Sequence, residues 1–304
     1  MMKFLLETNE LSKHYGKKKA LDEVSVHVEQ GAIYGLVGRN GAGKTTLMKI
    51  ICGLARKTSG SFTMFGREGE KMGELASRRG LLIESPGYFR EYDAYMNLAL
   101  KCKLLGLRDT EEPRRLINLV SLENAGKKKV RDYSLGMKQR LGIAMALAGN
   151  PDLVVLDEPI NGLDPQGIIE VRDLIMRLNK ENGTTFIISS HILDELSKIA
   201  TKYGILNKGR LVEECDAKEL YSRCESRIEL LTDQPSKAVP ILERLGFTQM
   251  KVFDDGWINL YEQFDKTGDI TLALAAEGVT TLEIAKKLES VENYYIRLVG
   301  KDGE

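Results

Sequence analysis

Nine residues near the N-terminus have the types and spacing needed to bind a chain of phosphates. Residues 38–46 read Gly-Arg-Asn-Gly-Ala-Gly-Lys-Thr-Thr and match the pattern G-x-x-x-x-G-K-[ST]. Glycines in such a loop let the backbone fold around an anion, so that successive N–H groups point inward. Lys44 can then reach the β- and γ-phosphates, and the Thr45 hydroxyl can ligate Mg²⁺.

The apolar run at 32–37 predicts a buried strand directly before this loop, and a helix is expected from about Lys44. That strand–loop–helix context favours nucleotide binding over an ordinary glycine-rich turn. The residues that we expect to contact the nucleotide here are Gly38, Arg39, Asn40, Gly41, Ala42, Gly43, Lys44, Thr45 and Thr46.

Two carboxylates end a second apolar strand at residues 152–159. Ligands in open α/β sheets bind at the C-terminal edge of the strands, where these acids would lie. We expect Asp157 to hold Mg²⁺, directly or through water, and Glu158 to polarise the attacking water. A strand followed by an acidic turn is common, so this interpretation depends on the phosphate loop.

Two further candidates lie at the ends of predicted elements. A third apolar strand at 184–190 ends at His191, for which a contact to the γ-phosphate is favoured over a purely structural role. Ser134 has the residue type of a helix N-cap, and its helix would present free N–H groups and a positive dipole to an anion. Its place ahead of the acidic pair favours a phosphate contact over a plain capped helix.

Composition and charge argue against several other classes. The chain has 304 residues, enough for one large core or for one core with a smaller satellite. Lys+Arg and Asp+Glu both number 44, a balance that argues against a nucleic-acid partner. No apolar stretch is long enough to cross a bilayer, and the N-terminal residues indicate a strand, not a signal peptide. The four cysteines lack metal-ligand spacing, so we expect reduced thiols in a cytoplasmic protein.

In this order and spacing, the motifs resemble those of the ATP-binding-cassette family, and the resemblance covers residues 1 to about 217. Residues 38–46 correspond to the phosphate loop, Ser134–Met137 to the signature segment and Asp157–Glu158 to the acidic pair. The resemblance further implies that Tyr15, ahead of the first strands, stacks on adenine. It also implies that the loop 162–164, with Asp164, acts across a dimer interface and that His191 is the switch histidine.

Two segments depart from the usual family pattern. Leu135 and Met137 replace residues of the signature segment, whereas Ser134 and Gly136, which are expected to touch the γ-phosphate, remain. Glu84 stands where most members have glutamine, and a carboxylate binds Mg²⁺ more tightly than a neutral carbonyl does. Glu84 is therefore a third metal-ligand candidate beside Thr45 and Asp157, with chance drift as the alternative.

Glu84, the Ser-Pro-Gly-Tyr-Phe that follows it and the run Tyr-Ser-Leu-Gly-Met-Lys-Gln-Arg from residue 133 together resemble one subgroup. That subgroup contains bacterial exporters of peptide antibiotics, of the bacitracin-resistance and lantibiotic-immunity type.

The predicted fold is α/β: a P-loop NTPase core with a helical subdomain inserted at about residues 86–150, forming a nucleotide-binding domain at 1–217. A small α+β domain is expected at 218–304. Its predicted elements follow the order β-α-β-β-α-β, which suggests a ferredoxin-like fold. We expect an accessory or regulatory domain, with a small-ligand site as the alternative. The predicted core strands are 3–8, 20–28 and 32–37, and the predicted helices are 96–105, 111–121, 141–149 and 192–199.

Together these features predict an ATPase subunit of an exporter that uses ATP and Mg²⁺. Two copies, or one copy and a homologous subunit, would close head to tail on ATP, with Lys44 of one near Ser134 of the other. The helical subdomain would act on a separately encoded integral membrane permease. Tyr88, Phe89 and Tyr92 are candidate contacts, with ordinary packing within the helical subdomain as the alternative. The chain would therefore be cytoplasmic and peripheral on the inner face of the cell membrane. The alternatives are a soluble cassette ATPase without a permease, of the translation or repair type, and a ligand-sensing ATPase.

Overall fold

A computed structural model describes residues 4–84, 86–191, 193–224 and 226–300, except for the side chains of residues 70–74 and 288. The chain divides into two units, Met1–Ala217 and Lys218–Glu304. Each unit has its own β-sheets and its own apolar core.

A six-stranded sheet forms the centre of the first unit. Its strands are β4 (Ile33–Val37), β7 (Arg79–Leu82), β8 (Leu153–Asp157), β9 (Thr185–Ser190), β10 (Lys202–Asn207) and β11 (Arg210–Asp216). The order is β11-β10-β4-β9-β8-β7, parallel throughout except for β11, which is antiparallel to β10. Strands β4, β8 and β9 are buried along their whole length, which explains their continuous apolar runs. This sheet is the parallel α/β core that the motifs predicted.

A second, antiparallel sheet of five strands completes the β-structure of this unit. It contains β1 (Leu6–Tyr15), β2 (Lys18–Val24), β3 (His27–Val28), β5 (Ser59–Met64) and β6 (Arg67–Glu68). Strand β1 pairs with β2, β3 and β5. It extends to Tyr15, so the expectation that Tyr15 precedes the first strands was wrong.

Helices connect the strands of the first unit. They are α1 (Lys44–Ile51), α2 (Ala94–Leu104), α3 (Glu112–Leu119), α4 (Leu135–Leu147), α5 (Pro165–Asn182) and α6 (Leu193–Ser197), with 3₁₀ turns at Gly69–Arg78, Glu123–Ala125 and Val130–Asp132. Helices α2, α3 and α4 contact one another between β7 and β8, where the helical insertion was predicted. Helix α4 begins at Leu135 and not at residue 141, because Ser134 caps it by accepting a hydrogen bond from the Met137 N–H.

The second unit contains one four-stranded antiparallel sheet with the order β13-β14-β12-β15. Its elements are α7 (Ala217–Arg223), β12 (Ser226–Thr232), α8 (Pro235–Arg244), β13 (Met250–Val252), β14 (Trp257–Leu260), α9 (Thr267–Ala276), β15 (Thr281–Leu288) and α10 (Val291–Gly300). Residues of β12, β14, α8 and α9 form its core, including Ile228, Leu242, Ile258 and Leu274.

The predicted elements differ from the observed ones mainly at their ends. Lys3 of the predicted first strand and Ile192 of the predicted helix 192–199 lie outside the described residues. Strands β5, β10 and β11 and helix α5 were not predicted, although β10 and β11 complete the central sheet.

Gly80 allows β7 to lie directly against α4. A Cβ atom at this position would come within 1.8 Å of the backbone oxygen of Ala146. We predict that Gly80→Ala lowers the free energy of unfolding by about 1–3 kcal/mol or more, because backbone must move to relieve the overlap. Denaturant titration measures the change.

Gly87→Ala is the control, because a Cβ atom there has no atom within 4 Å. Equal stabilities for the two variants would contradict this account of the β7–α4 packing.

Candidate functional site

The loop between β4 and α1 has a backbone that only glycine accommodates easily. Gly43, the N-cap of α1, has a φ of 111°, and a Cβ atom on it would lie 2.7 Å from the Ala20 oxygen. A Cβ atom on Gly38 would lie 2.6 Å from the Leu206 oxygen. The sequence therefore builds a tight loop that runs directly into the N-terminus of α1. The first N–H groups of a helix have no partner within the helix and can bind an anion.

The ammonium group of Lys44 is directed into this loop. The side chain is only 6% exposed, and its Nζ donates a hydrogen bond of 2.6 Å to the Gly38 oxygen. The same Nζ lies 3.5 Å from Glu158 Oε1. A buried ammonium needs such partners, and phosphate oxygens would be stronger ones.

Asp157 is the best-connected acid of the site. It lies at the end of β8, is 8% exposed, and accepts hydrogen bonds from Thr45 Oγ1 at 2.8 Å and from Ser189 Oγ at 2.5 Å. The Ser189 hydroxyl in turn accepts a hydrogen bond of 2.9 Å from the Glu158 N–H. One carboxylate and one hydroxyl thereby connect α1, β8 and β9.

Glu158 and His191 form a second pair at the same edge of the sheet. Nδ1 of His191 lies 2.7 Å from Glu158 Oε2. Glu158 has a left-handed backbone with a φ of 50°, an uncommon conformation for a residue other than glycine. Such outliers cluster where a side chain must be aimed at a site.

A pocket of about 250 Å³ contains most of the predicted nucleotide contacts. Tyr15, whose ring is half-exposed and lies beneath the Lys13 ammonium, forms part of its wall. The pocket is lined by Tyr15, Lys18, Ala20, Arg39, Asn40, Gly41, Gly43, Lys44, Thr45, Thr46 and Glu158. Ala42 is buried, and its N–H donates to the Arg39 oxygen.

Gly38 and Ala42 are not among the described residues that line this pocket. The same is true of the three predicted contacts outside the loop, Ser134, Gly136 and Asp164. They lie close to one another instead. Ser134 caps α4, Asp164 caps α5 by accepting from the Gly167 N–H at 3.2 Å, and a Cβ atom on Gly136 would lie 3.4 Å from Leu163 Cδ2. The signature segment and the loop before α5 thus form one surface with two helix N-termini.

Glu84, the third predicted metal ligand, is paired with a lysine. Its Oε1 accepts a hydrogen bond of 2.5 Å from Lys49 Nζ, and its backbone is left-handed with a φ of 61°. Among the described residues, no cluster of three or more His, Cys, Asp or Glu side chains is placed to hold a metal. Mg²⁺ in such a site would need phosphate oxygens in addition to Thr45 and Asp157.

Sequence reasoning missed Ser189 and Lys49, as well as Lys18 and Ala20 of the pocket wall. The signal for Ser189 was present, because a serine at the end of a fully buried strand needs a hydrogen-bond partner. Lys49 follows Thr45 by one helical turn, and its position on the same face of α1 was also available from the sequence.

No helix in the described part of the chain combines the length and the apolar character needed to cross a membrane.

Comparison with known proteins agrees with this geometry. A family model described as ABC transporter matches residues 21–161. The chain is 40% identical over 304 residues to the bacitracin transport ATP-binding protein BcrA of Enterococcus faecalis, covering 100% of this chain and 99% of that protein. It is 42% identical over 231 residues to the lantibiotic transport ATP-binding protein SrtF of Streptococcus pyogenes, covering 76% of this chain and 97% of that protein.

A solved structure of an ATP-binding subunit of an ABC transporter has a TM-score of 0.65 and 29% identity, covering 72% of this chain and 92% of that one. The chain therefore belongs to the ATP-binding proteins of the ABC transporter family. It is an ATPase subunit of this class, and the predictions of a P-loop α/β core and of ATP binding are confirmed. The bacitracin transport relative matches the whole chain, which favours an ATPase of a transporter over the soluble alternatives.

The hydroxyl of Ser189 holds Asp157 and Glu158 in their relative positions. We predict that Ser189→Ala lowers ATP turnover about tenfold, because Asp157 loses a donor and the Glu158 N–H loses its acceptor. Steady-state hydrolysis by the purified chain measures this loss.

Thr185→Val is a matched control at the other end of β9, where the buried Thr185 hydroxyl accepts from the Gly31 N–H at 2.8 Å. It should cost stability but leave turnover per folded molecule within about twofold. Unchanged turnover in Ser189→Ala would rule out the positioning role.

Proposed function

We propose that this chain is the ATP-hydrolysing subunit of an exporter whose permease is a separate membrane protein. Its transported substrate would be a peptide antibiotic or a similar amphiphile. The observation that carries the proposal is the 40% identity, along the whole chain, to a bacitracin transport ATP-binding protein. The geometry of the site supplies the mechanism by which such a subunit works.

ATP would bind with its phosphates in the loop at 38–46. The Lys44 ammonium would exchange its contacts with Gly38 and Glu158 for the β- and γ-phosphates. Tyr15 borders the same pocket and would stack on adenine. The phosphates would also meet the N-terminus of α1.

Mg²⁺ fits the oxygen atoms at the edge of this pocket. Thr45 Oγ1 and Asp157 Oδ2 lie 2.8 Å apart, and hydroxyl and carboxylate oxygens are donors that Mg²⁺ prefers. When bound, the ion would neutralise phosphate charge during hydrolysis. Glu84, which is paired with Lys49, is the candidate for a further ligand.

Glu158 would polarise the attacking water and accept its proton. Its Oε2 lies 2.7 Å from His191 Nδ1, so His191 holds the carboxylate and would sense the γ-phosphate from the end of β9. The backbone N–H of Glu158 is fixed by Ser189, which limits the positions that the carboxylate can take.

A second copy, or a homologous subunit, would complete the site. The surface of Ser134, Gly136 and Asp164 carries two helix N-termini and is separate from the residues that line the nucleotide pocket. Head-to-tail association would bring this surface to the γ-phosphate of the other subunit. ATP would then favour the closed dimer because it contacts both subunits only there.

The permease would dock on the aromatic residues after β7. Phe89 and Tyr92 are exposed, with ring centroids 5.8 Å apart, and a groove of about 270 Å³ runs beside Phe89 toward α2 and α4. Asn97 is buried at the start of α2. Its side chain accepts a hydrogen bond of 2.7 Å from the Phe89 N–H and donates one of 3.1 Å to the Phe89 oxygen. This position would place the chain on the cytoplasmic face of the membrane.

The second unit would be a ferredoxin-like accessory domain. Its element order β12-α8-β13-β14-α9-β15 and its antiparallel strand order support this fold. The lantibiotic transport relative is matched over 97% of its length but over only 76% of this chain. That difference supports a domain that is added to the ATPase and is not part of its catalytic machinery.

The role of Glu158 is tested by Glu158→Gln. We predict that this variant binds ATP but loses more than 99% of turnover, about 2.7 kcal/mol or more of transition-state stabilisation, because an amide cannot accept the proton. ATP should then hold it in a dimer, which light scattering detects. Near-normal turnover would overturn the assignment.

The docking surface is tested by Phe89→Ala combined with Tyr92→Ala. In detergent-solubilised membranes of the native host, we predict that recovery of a polytopic permease falls about tenfold or more, because exposed aromatic anchors dominate such interfaces. ATP hydrolysis by the isolated chain should stay within about twofold of the unaltered chain. Mass spectrometry of the co-purified proteins identifies the partner.

Leu272→Ala is the matched control, since Leu272 is an exposed apolar residue of the second unit. Undiminished recovery in the double variant would contradict the docking site. Ribosomal or DNA-repair proteins in place of a permease would contradict the transport function.

A further inference from the structure

Lys49 and Glu84 form an ion pair one helical turn along α1 from Thr45, which lines the nucleotide pocket. Lys49 is in the last turn of α1, and its Nζ lies 2.5 Å from Glu84 Oε1. Both side chains are solvent-accessible, with 31% of Lys49 and 62% of Glu84 exposed. An ion pair in that setting is weak and readily exchanged for another partner.

The elements that carry Lys49 and Glu84 also carry, or lie next to, the proposed metal ligands. Lys49 and Thr45 are four residues apart on α1, so they share one face with Cβ atoms about 5–6 Å apart. Strands β7 and β8 are parallel neighbours in which Leu82 is paired with Leu156. Glu84 and Asp157 therefore follow adjacent strands at the same edge of the sheet.

The backbone of Glu84 directs its side chain. A φ of 61° is uncommon for glutamate and places the residue in the left-handed region at the exit from β7. In that conformation the carboxylate contacts α1, one turn from Thr45. The ion pair thus joins the exit from β7 to α1.

We propose that Lys49 is a positioning residue that competes with Mg²⁺ for the carboxylate of Glu84. This inference rests on the proposed function, because it requires that Thr45 and Asp157 bind Mg²⁺ with ATP. Before the metal binds, Lys49 neutralises the Glu84 carboxylate and holds it one helical turn away from Thr45. Metal binding then requires Glu84 to exchange an ammonium for the ion, which couples occupancy of the site to the position of the loop after β7.

The competition is tested by metal binding in the absence of turnover. The full-length chain is saturated with the non-hydrolysable β,γ-imido analogue of ATP, Mn²⁺ is titrated in place of Mg²⁺, and free Mn²⁺ is measured by electron paramagnetic resonance. The variants are Lys49→Met, Glu84→Gln and the two combined, which form a double-mutant cycle. Lys49→Arg is the conservative variant that keeps the ion pair.

We expect Lys49→Met to tighten Mn²⁺ binding roughly two- to fivefold, the range that an exposed ion pair supports. In the Glu84→Gln background the same substitution should change Mn²⁺ affinity less than about 1.5-fold, because the acceptor that Lys49 held is no longer charged. Lys49→Arg should bind Mn²⁺ as the unaltered chain does.

The double-mutant cycle separates competition from simple charge repulsion. An equal gain in both backgrounds would show that Lys49 acts through space on the cation and would overturn the proposal, as would a loss of affinity in Lys49→Met. Lys287→Met, which removes an ammonium from an ion pair with Glu229 in the second unit, should leave Mn²⁺ binding unchanged.

Failure of the proposed function would look different from failure of the Lys49 proposal. If the unaltered chain bound neither Mn²⁺ nor the nucleotide analogue, the metal site itself would be wrong. Normal binding by that chain with no coupling between Lys49 and Glu84 would contradict only the competition. Metal-free nucleotide binding by each variant shows that it is folded.

Discussion

The buried carboxylate of Asp157 is the group on which the geometry of the whole site depends. A carboxylate that is 8% exposed is stable only if hydrogen-bond donors or cations satisfy it, and here the hydroxyls of Thr45 and Ser189 do so. Because Ser189 also accepts from the Glu158 N–H, the same contacts position the residue proposed to polarise water. A displacement of α1, β8 or β9 would therefore disturb the phosphate loop, the proposed metal ligands and the proposed base together.

The sheet order explains why these contacts arise at one place. Strands β4, β9 and β8 are parallel neighbours, so their carboxyl ends bring the phosphate loop, His191 and the acidic pair to a single edge. The signature segment belongs to the helices inserted between β7 and β8 and lies on a separate surface. The core thus fixes the phosphate loop, His191 and the acidic pair, whereas the signature segment would reach a nucleotide only through the proposed association with a second subunit. In the proposed dimer, this arrangement would make ATP hydrolysis conditional on a second subunit.

Much of this site was predictable because its residues combine a backbone requirement with a chemical one. The loop glycines, Lys44, and the acids at the end of a buried strand leave a local pattern in the sequence. Contacts between distant segments leave no such pattern: Lys49 and Glu84 meet only because β7 lies beside β8, which contacts α1. Strand β11 was missed because its mixed burial lacks the continuous apolar run of β8 and β9. Strand β10 was missed because its buried run is only four residues long and contains Gly204. Tyr15 was misplaced because the long strand β1, half of whose residues are exposed, has a polar sequence.

The central claim, that a second copy completes the nucleotide site, is tested most directly by cross-linking. The native cysteines are buried, and burial raises the pKa of Cys52 to about 12, so exposed new thiols would react selectively. Two separate Glu158→Gln proteins, one with Asn40→Cys and the other with Leu135→Cys, are mixed and treated with a short thiol-to-thiol cross-linker. We predict a cross-linked dimer of the two different proteins that forms with Mg²⁺ and ATP but not with ADP. No ATP-dependent cross-link between chains that both bind ATP would contradict the claim.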